Sequence, residues 1–115
     1  VGDSGNIVRS TDNGTSWDNA TDPGGHFWGV GFGNNTFVAV AHGGMILRST
    51  DNGSNFSAVV DPASHLTGVV FGNNTFVAVG VYGLLYRSTD NGTTWDSRTS
   101  VNPLGTNVHL RGVGF

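Results

Sequence analysis

Residues 9–18 read Arg9-Ser10-Thr11-Asp12-Asn13-Gly14-Thr15-Ser16-Trp17-Asp18, and the stretch returns as residues 48–57, RSTDNGSNFS, and residues 87–96, RSTDNGTTWD. The three copies keep a constant offset of 39 residues, set by Arg9, Arg48 and Arg87. A fixed repeat of this length means a propeller, a solenoid or an array. Within each copy, Asp-Asn-Gly between strand-like runs is a strong hairpin signal, because Asn and Gly accept positive φ and the Asp carboxylate can take backbone N–H bonds of its own turn. Ser10, Ser49 and Ser88 lie two residues before the Asp, where a hydroxyl can bond the same loop. The aromatic that follows, Trp17, Phe56 or Trp95, is expected to leave the turn and bury against a neighbouring layer.

The pattern Ser-x-Asp-x-Gly-x-x-aromatic, carried by Ser10, Asp12, Gly14 and Trp17, by Ser49, Asp51, Gly53 and Phe56, and by Ser88, Asp90, Gly92 and Trp95, resembles the Asp-box or BNR repeat. Proteins of that family include sialidases, sortilin-type receptors, some glucanases and photosystem assembly propellers. The usual Thr before the aromatic is present as Thr94, with Ser16 and Asn55 in its place in the other copies. The resemblance implies a β-propeller in which the box joins the third and fourth strands of a blade, away from any active site. It transfers a fold and no catalytic residue.

The second repeat calibrates the rest. Trp28 to Phe32 reads as a first strand, Gly33-Asn34-Asn35 as a tight turn, Thr36 to Ala41 as a second strand, Met45 to Ser49 as a third and Asn55 to Val60 as a fourth. Four short strands in this length match one propeller blade. Several strands are apolar on both sides, as a sheet stacked between two others requires, and Gly29 and Gly31 alternate with Val30 and Phe32 where the first, innermost strand is most crowded. The expected fold is all-β: blades of four antiparallel strands in a partial or oligomer-completed propeller. Residues 1–28 form a partial blade with third and fourth strands only, residues 29–67 and 68–111 two complete blades, and residues 112–115 the start of a further one. Gly68 and Gly112 are 44 residues apart, which places a loop insertion between Trp95 and His109. Joining the ends would leave one second strand missing, so the expectation is a segment of a longer propeller or a protomer completed by copies of itself.

Composition fits an all-β chain rich in turns: 115 residues with 19 Gly, 37% hydrophobic and 11% charged, all of the charged residues being Asp or Arg. Absence of Glu, Lys and Gln disfavours long exposed helices. A net charge of −3 with five scattered Arg offers no nucleic-acid footprint, and no apolar run is long enough for membrane insertion. Without Cys there is no disulfide or thiolate chemistry, and no cofactor is implied. The Asn- and Thr-rich composition, with acceptor-type sequons such as Asn13-Gly14-Thr15, suits an extracellular or cell-surface protein.

Aligning the repeats puts His26, His65 and His109 three residues before Gly29, Gly68 and Gly112, each after a turn containing Asp22-Pro23, Asp61-Pro62 or Asn102-Pro103. One imidazole per blade would rim the face opposite the boxes. The functional reading is a ligand surface of His26, Trp28, His42, His65, Tyr82, His109 and Arg111, with Thr67 and Asp3 beside them, suited to a glycan first and a protein second. The bland reading is that each His bonds a backbone carbonyl at a blade junction. A shared metal is not expected, because inter-sheet spacing of roughly 10 Å separates histidines of different blades. Arg9, Arg48 and Arg87 read as structural partners of the turns. Sialidase chemistry fails for want of the Glu that activates a Tyr nucleophile. The conclusion from sequence is a non-catalytic binding or scaffold module, with blades of an Asp-box glycoside hydrolase or a structural repeat of an extracellular fibre as rivals.

Overall fold

A computed structural model describes residues 6–19, 25–60 and 65–97, together with positions 4 and 114. Asp3, Asp22, Asp61, the expected insertion, His109 and Arg111 lie outside the described residues. Among the described residues ten strands run in chain order: β1 (Val8–Arg9), β2 (Asp18–Asn19), β3 (Phe27–Gly33), β4 (Thr36–Ala41), β5 (Ile46–Ser49), β6 (Ser57–Val60), β7 (Leu66–Gly72), β8 (Thr75–Gly80), β9 (Leu85–Ser88) and β10 (Asp96–Ser97). They form two four-stranded antiparallel meanders, β3-β4-β5-β6 and β7-β8-β9-β10, and a two-stranded ribbon, β1-β2.

Local chemistry fixes each hairpin. Asn34 and Asn35 both adopt positive φ, as do Asn73 and Asn74, so each pair makes the two-residue turn whose twist matches its flanking strands. The turn sets the register: Gly33 pairs with Thr36 and Phe32 with Phe37, whose rings sit 4.5 Å apart. Phe71 and Phe76 repeat this at 4.6 Å. The fourth strand starts at Ser57 and not at Asn55, because the Asn55 backbone N–H and side-chain amide are both committed to Asp51 within the turn. The first strand is longer than Trp28 to Phe32 at both ends, and the register slips between Phe27 and Gly29, a bulge at Trp28 that recurs at Thr67.

The sheets stack face to face. Strand β4 is buried on both faces: Val38, Ala39, Val40 and Ala41 have no exposed surface. Val38 and Val40 join Leu66, Val69, Phe76 and Ala78 in the core between the two complete sheets, and Ala39 and Ala41 join Ile7, Phe27 and Leu47 in the core facing the β1-β2 ribbon. Inner strands β3 and β7 meet most closely. A Cβ on Gly29 would lie 3.2 Å from the Gly68 Cα, one on Gly31 3.3 Å from the Val69 carbonyl oxygen, and one on Gly33 would overlap the Phe71 ring.

Two expectations change here. The sheet of β3 is covered on one side only along its inner edge, since Trp28, Val30 and Phe32 on the opposite side are about half exposed. Trp17 is 62% exposed and does not bury as its counterparts do; Phe56 and Trp95 pack against the two cores, but the ribbon gives Trp17 no inner strands to lie on among the described residues.

Adjacent sheets are also clamped by Arg48, whose Nε donates to the Asn91 carbonyl at 2.8 Å in the turn of the next repeat. Replacing Arg48 by Met leaves that carbonyl unpaired in a half-buried joint. A loss of about 1.5–3 kcal/mol of unfolding free energy is expected, measured by urea denaturation.

Candidate functional site

Each repeated turn is a closed clip. In the second, the Ser49 hydroxyl donates to Asp51 Oδ1 (2.7 Å) and accepts from the Gly53 N–H (2.9 Å), while Asp51 accepts from the Asn55 N–H. The first uses Ser10, Asp12, Gly14 and Ser16 in the same bonds, and the third uses Ser88, Asp90, Gly92 and Thr94. In the third, the Thr94 hydroxyl also donates to Asp90. Positive φ at Asn13-Gly14, Asn52-Gly53 and Asn91-Gly92 is what lets the loop curl around the carboxylate. All three carboxylates are held well below the usual range, at about 2. The leading cause is the Ser16 hydroxyl for Asp12, the Asn55 backbone N–H for Asp51 and the Thr94 hydroxyl for Asp90.

The clips reach forward and back. Arg9 Nη1 donates to Ser54 Oγ (2.6 Å) and the Asn52 carbonyl, repeating one blade earlier the Arg48 to Asn91 contact. Arg9 also faces Asp18 at 3.6 Å, a surface pair of little weight. The arginines therefore serve the following repeat's turn. Two hydrogen bonds missed by sequence reading complete the joint: the Asn91 amide donates to Thr36 Oγ1 (2.7 Å) and the Asn34 amide to Asn74 Oδ1 (3.1 Å). Their signal lies in the repeat itself, since the Asn of the clip and the Asn-Asn of the hairpin recur at fixed offsets.

On the opposite face three imidazoles form a row. His26 and His42 meet edge to face at 6.3 Å, and His42 stacks on His65 at 3.7 Å. His42 thus fills the inter-sheet gap that was expected to keep histidines apart. No group of three His, Asp or Glu able to hold a metal occurs among the described residues. The expected carbonyl contact is reversed in sense. His65 Nδ1 accepts the Gly43 N–H at 2.8 Å, and His26 Nδ1 accepts the Ser4 N–H at 3.2 Å, each from 22 residues earlier. An accepting Nδ1 leaves the ring proton of the neutral form on Nε2.

Of the other expected site residues, Trp28 lies at the bulge of β3 and is 57% exposed, and Tyr82 is 56% exposed. Tyr82 occupies the position held by Gly43 in the previous repeat, within a one-turn 3-10 helix (Val81–Gly83), at φ 57 and ψ 27. A left-handed non-glycine residue costs roughly 1–2 kcal/mol, and such strain marks sites where the side chain is wanted. The structure thus brings His26, His42 and His65 together, with Trp28 in the strand that follows His26 and Tyr82 in the corresponding turn of the next sheet. A separate apolar groove of 460 Å³ opens between Ile7, Val8 and Trp17 of the ribbon and Val30, Phe37 and Phe56 of the next sheet.

Among solved structures, one described as YCF48 bound to D1 peptide superposes with a TM-score of 0.72 at 25% identity, over 84% of this chain and 35% of that one. The fold is a partial β-propeller. YCF48 from Cyanidioschyzon merolae gives a TM-score of 0.68 at 23% identity, over 83% of this chain and 30% of that one. The chain spans about a third of the length of these propellers. No protein-family model and no curated protein matches the sequence.

The clip carboxylates give this propeller segment a defined acid response. Their folded pKa of about 2 lies below the ordinary 3.8, so their stabilisation is fully present above about pH 4 and is lost as pH falls through about 2. The urea midpoint should fall steeply over that window. Asp51→Asn should make the fall shallower, and an unchanged acid profile in that variant would contradict the assignment.

Proposed function

We propose that this chain is part of a non-catalytic β-propeller that binds segments of other proteins, with His26, Trp28, His42, His65 and Tyr82 as its ligand-facing rim. The observation that carries this reading is the similar propeller, at 25% identity, whose structure holds a peptide. The rim supports it. Exposed aromatic faces accept apolar side chains and peptide planes, and ring N–H groups suit backbone carbonyls. This reverses the order expected from sequence, which put a glycan ahead of a protein.

The clips argue against catalysis at their own carboxylates, because Asp12, Asp51 and Asp90 are bound within their turns and held ionised, the opposite of a general acid. We read these clips as Asp-boxes, structural in role, and the blades as residues 29–67 and 68–111. His109 and Arg111 extend the rim in this proposal on the strength of the repeat alignment.

Parallel peptide and glycan arrays on the 115-residue chain test the reading. Extended peptides should bind, and Trp28→Ala should weaken the best of them at least tenfold. Tyr82→Gly should relieve roughly 1 kcal/mol of backbone strain while also weakening that peptide. Glycan binding without peptide binding, or a Tyr82→Gly variant with undiminished affinity, would overturn it.

A further inference from the structure

Every Asn-Gly pair of this sequence, Asn13-Gly14, Asn52-Gly53 and Asn91-Gly92, lies inside a clip. The pair is prone to cyclise in water, because glycine has no side chain to screen its nitrogen from the neighbouring amide. A base in solution removes the glycine amide proton, and the nitrogen attacks Asn Cγ. The N–Cγ bond forms as the Cγ–Nδ2 bond breaks, and Nδ2 leaves as ammonia. Water then opens the cyclic imide. Opening at the side-chain carbonyl yields Asp; opening at the main-chain carbonyl yields isoaspartate, which routes the backbone through the side chain and lengthens it by a methylene. The sequence of steps consumes water and releases ammonia, with no redox change.

Each clip opposes the first of these steps. The glycine N–H is donated to the serine hydroxyl oxygen, at 2.8 Å from Gly14 to Ser10, 2.9 Å from Gly53 to Ser49 and 2.9 Å from Gly92 to Ser88. The same hydroxyl gives its own proton to the clip carboxylate, at 2.8 Å to Asp12, 2.7 Å to Asp51 and 2.8 Å to Asp90. The serine oxygen is therefore oriented with its lone pairs toward the glycine nitrogen. An anion on that nitrogen would face those lone pairs and the ionised carboxylate behind them, so loss of the proton is disfavoured.

The third clip adds a second restraint. Asn91 Nδ2, the leaving group, is tied to Thr36 Oγ1 at 2.7 Å, and Thr36 is buried. Asn13 and Asn52 are exposed. Conversion of Asn52 would also reach the neighbouring repeat, since isoaspartate there displaces the carbonyl that receives Arg9.

We propose that Asn13, Asn52 and Asn91 are latent deamidation sites and that the serine hydroxyl of each clip is the guard that keeps them closed. Opening of a single clip then decides where the protein ages chemically, and Asn91 is the slowest of the three.

Peptide mapping by mass spectrometry after incubation of the 115-residue chain in mildly alkaline buffer tests this site by site. All three asparagines should convert at least tenfold more slowly in the folded chain than in the same chain unfolded by urea. Ser10→Ala, in the exposed first clip, should accelerate Asn13 at least tenfold and leave Asn52 and Asn91 as internal controls. Ser10→Thr, which keeps a hydroxyl, should restore the slow rate. Ser49→Ala should single out Asn52 in the same way. Equal rates in folded and unfolded chains, an Asn13 rate indifferent to Ser10→Ala, or acceleration of all three sites together in that variant would overturn the proposal.

Discussion

The approach of Gly29 to Gly68 sets the distance between the two complete sheets, and the other joints are consequences of that distance. With backbones this close on the inner strands, the side chains of Val38, Val40, Phe76 and Ala78 fill the space farther out between the sheets. A β-branched residue at position 29 would push the sheets apart and withdraw Arg48 from the Asn91 carbonyl. Sheet spacing, core packing and the polar clamp at the rim are therefore one geometrical solution and not three separate stabilising effects.

On that frame the two faces of the propeller segment divide their labour. One carries clips whose carboxylates are saturated by their own turns, so they contribute order and little reactivity. The other carries the imidazole row, where His26 and His65 are fixed through Nδ1 by a backbone N–H of the preceding repeat and His42 stacks on His65. Rings held in this way keep one orientation, which would reduce the ordering cost of binding the peptide proposed for this face. Tyr82 adds an aromatic where the preceding repeat keeps glycine, and does so in a backbone conformation that favours glycine.

Much of this was legible in the residues. Ser-x-Asp-x-Gly specifies its own hydrogen bonds over four positions, and Gly-Asn-Asn-Thr specifies its turn, so both could be read locally. The arginine contact could not, because Arg48 and Asn91 are 43 residues apart and the link exists only once the sheets are stacked. The histidines were located by alignment, yet the direction of their hydrogen bond was misread: both carbonyl and N–H lie near a blade junction, and only the 3-10 turn at His42–Gly44 decides which one points at the ring. Trp17 was misread for the opposite reason. Its local sequence matches that of Trp95, and its exposure depends on which strands lie beside the ribbon.

The fixed offsets of the joints have an evolutionary consequence. Arg9 and Arg48 each serve the clip of the next repeat, and His26 and His65 each receive an N–H from the repeat before. Every unit thus carries half of each joint on either side. An in-frame duplication of 39 codons inserts a module whose two boundaries already fit, so such a chain can gain or lose whole blades by unequal recombination without inventing a new interface.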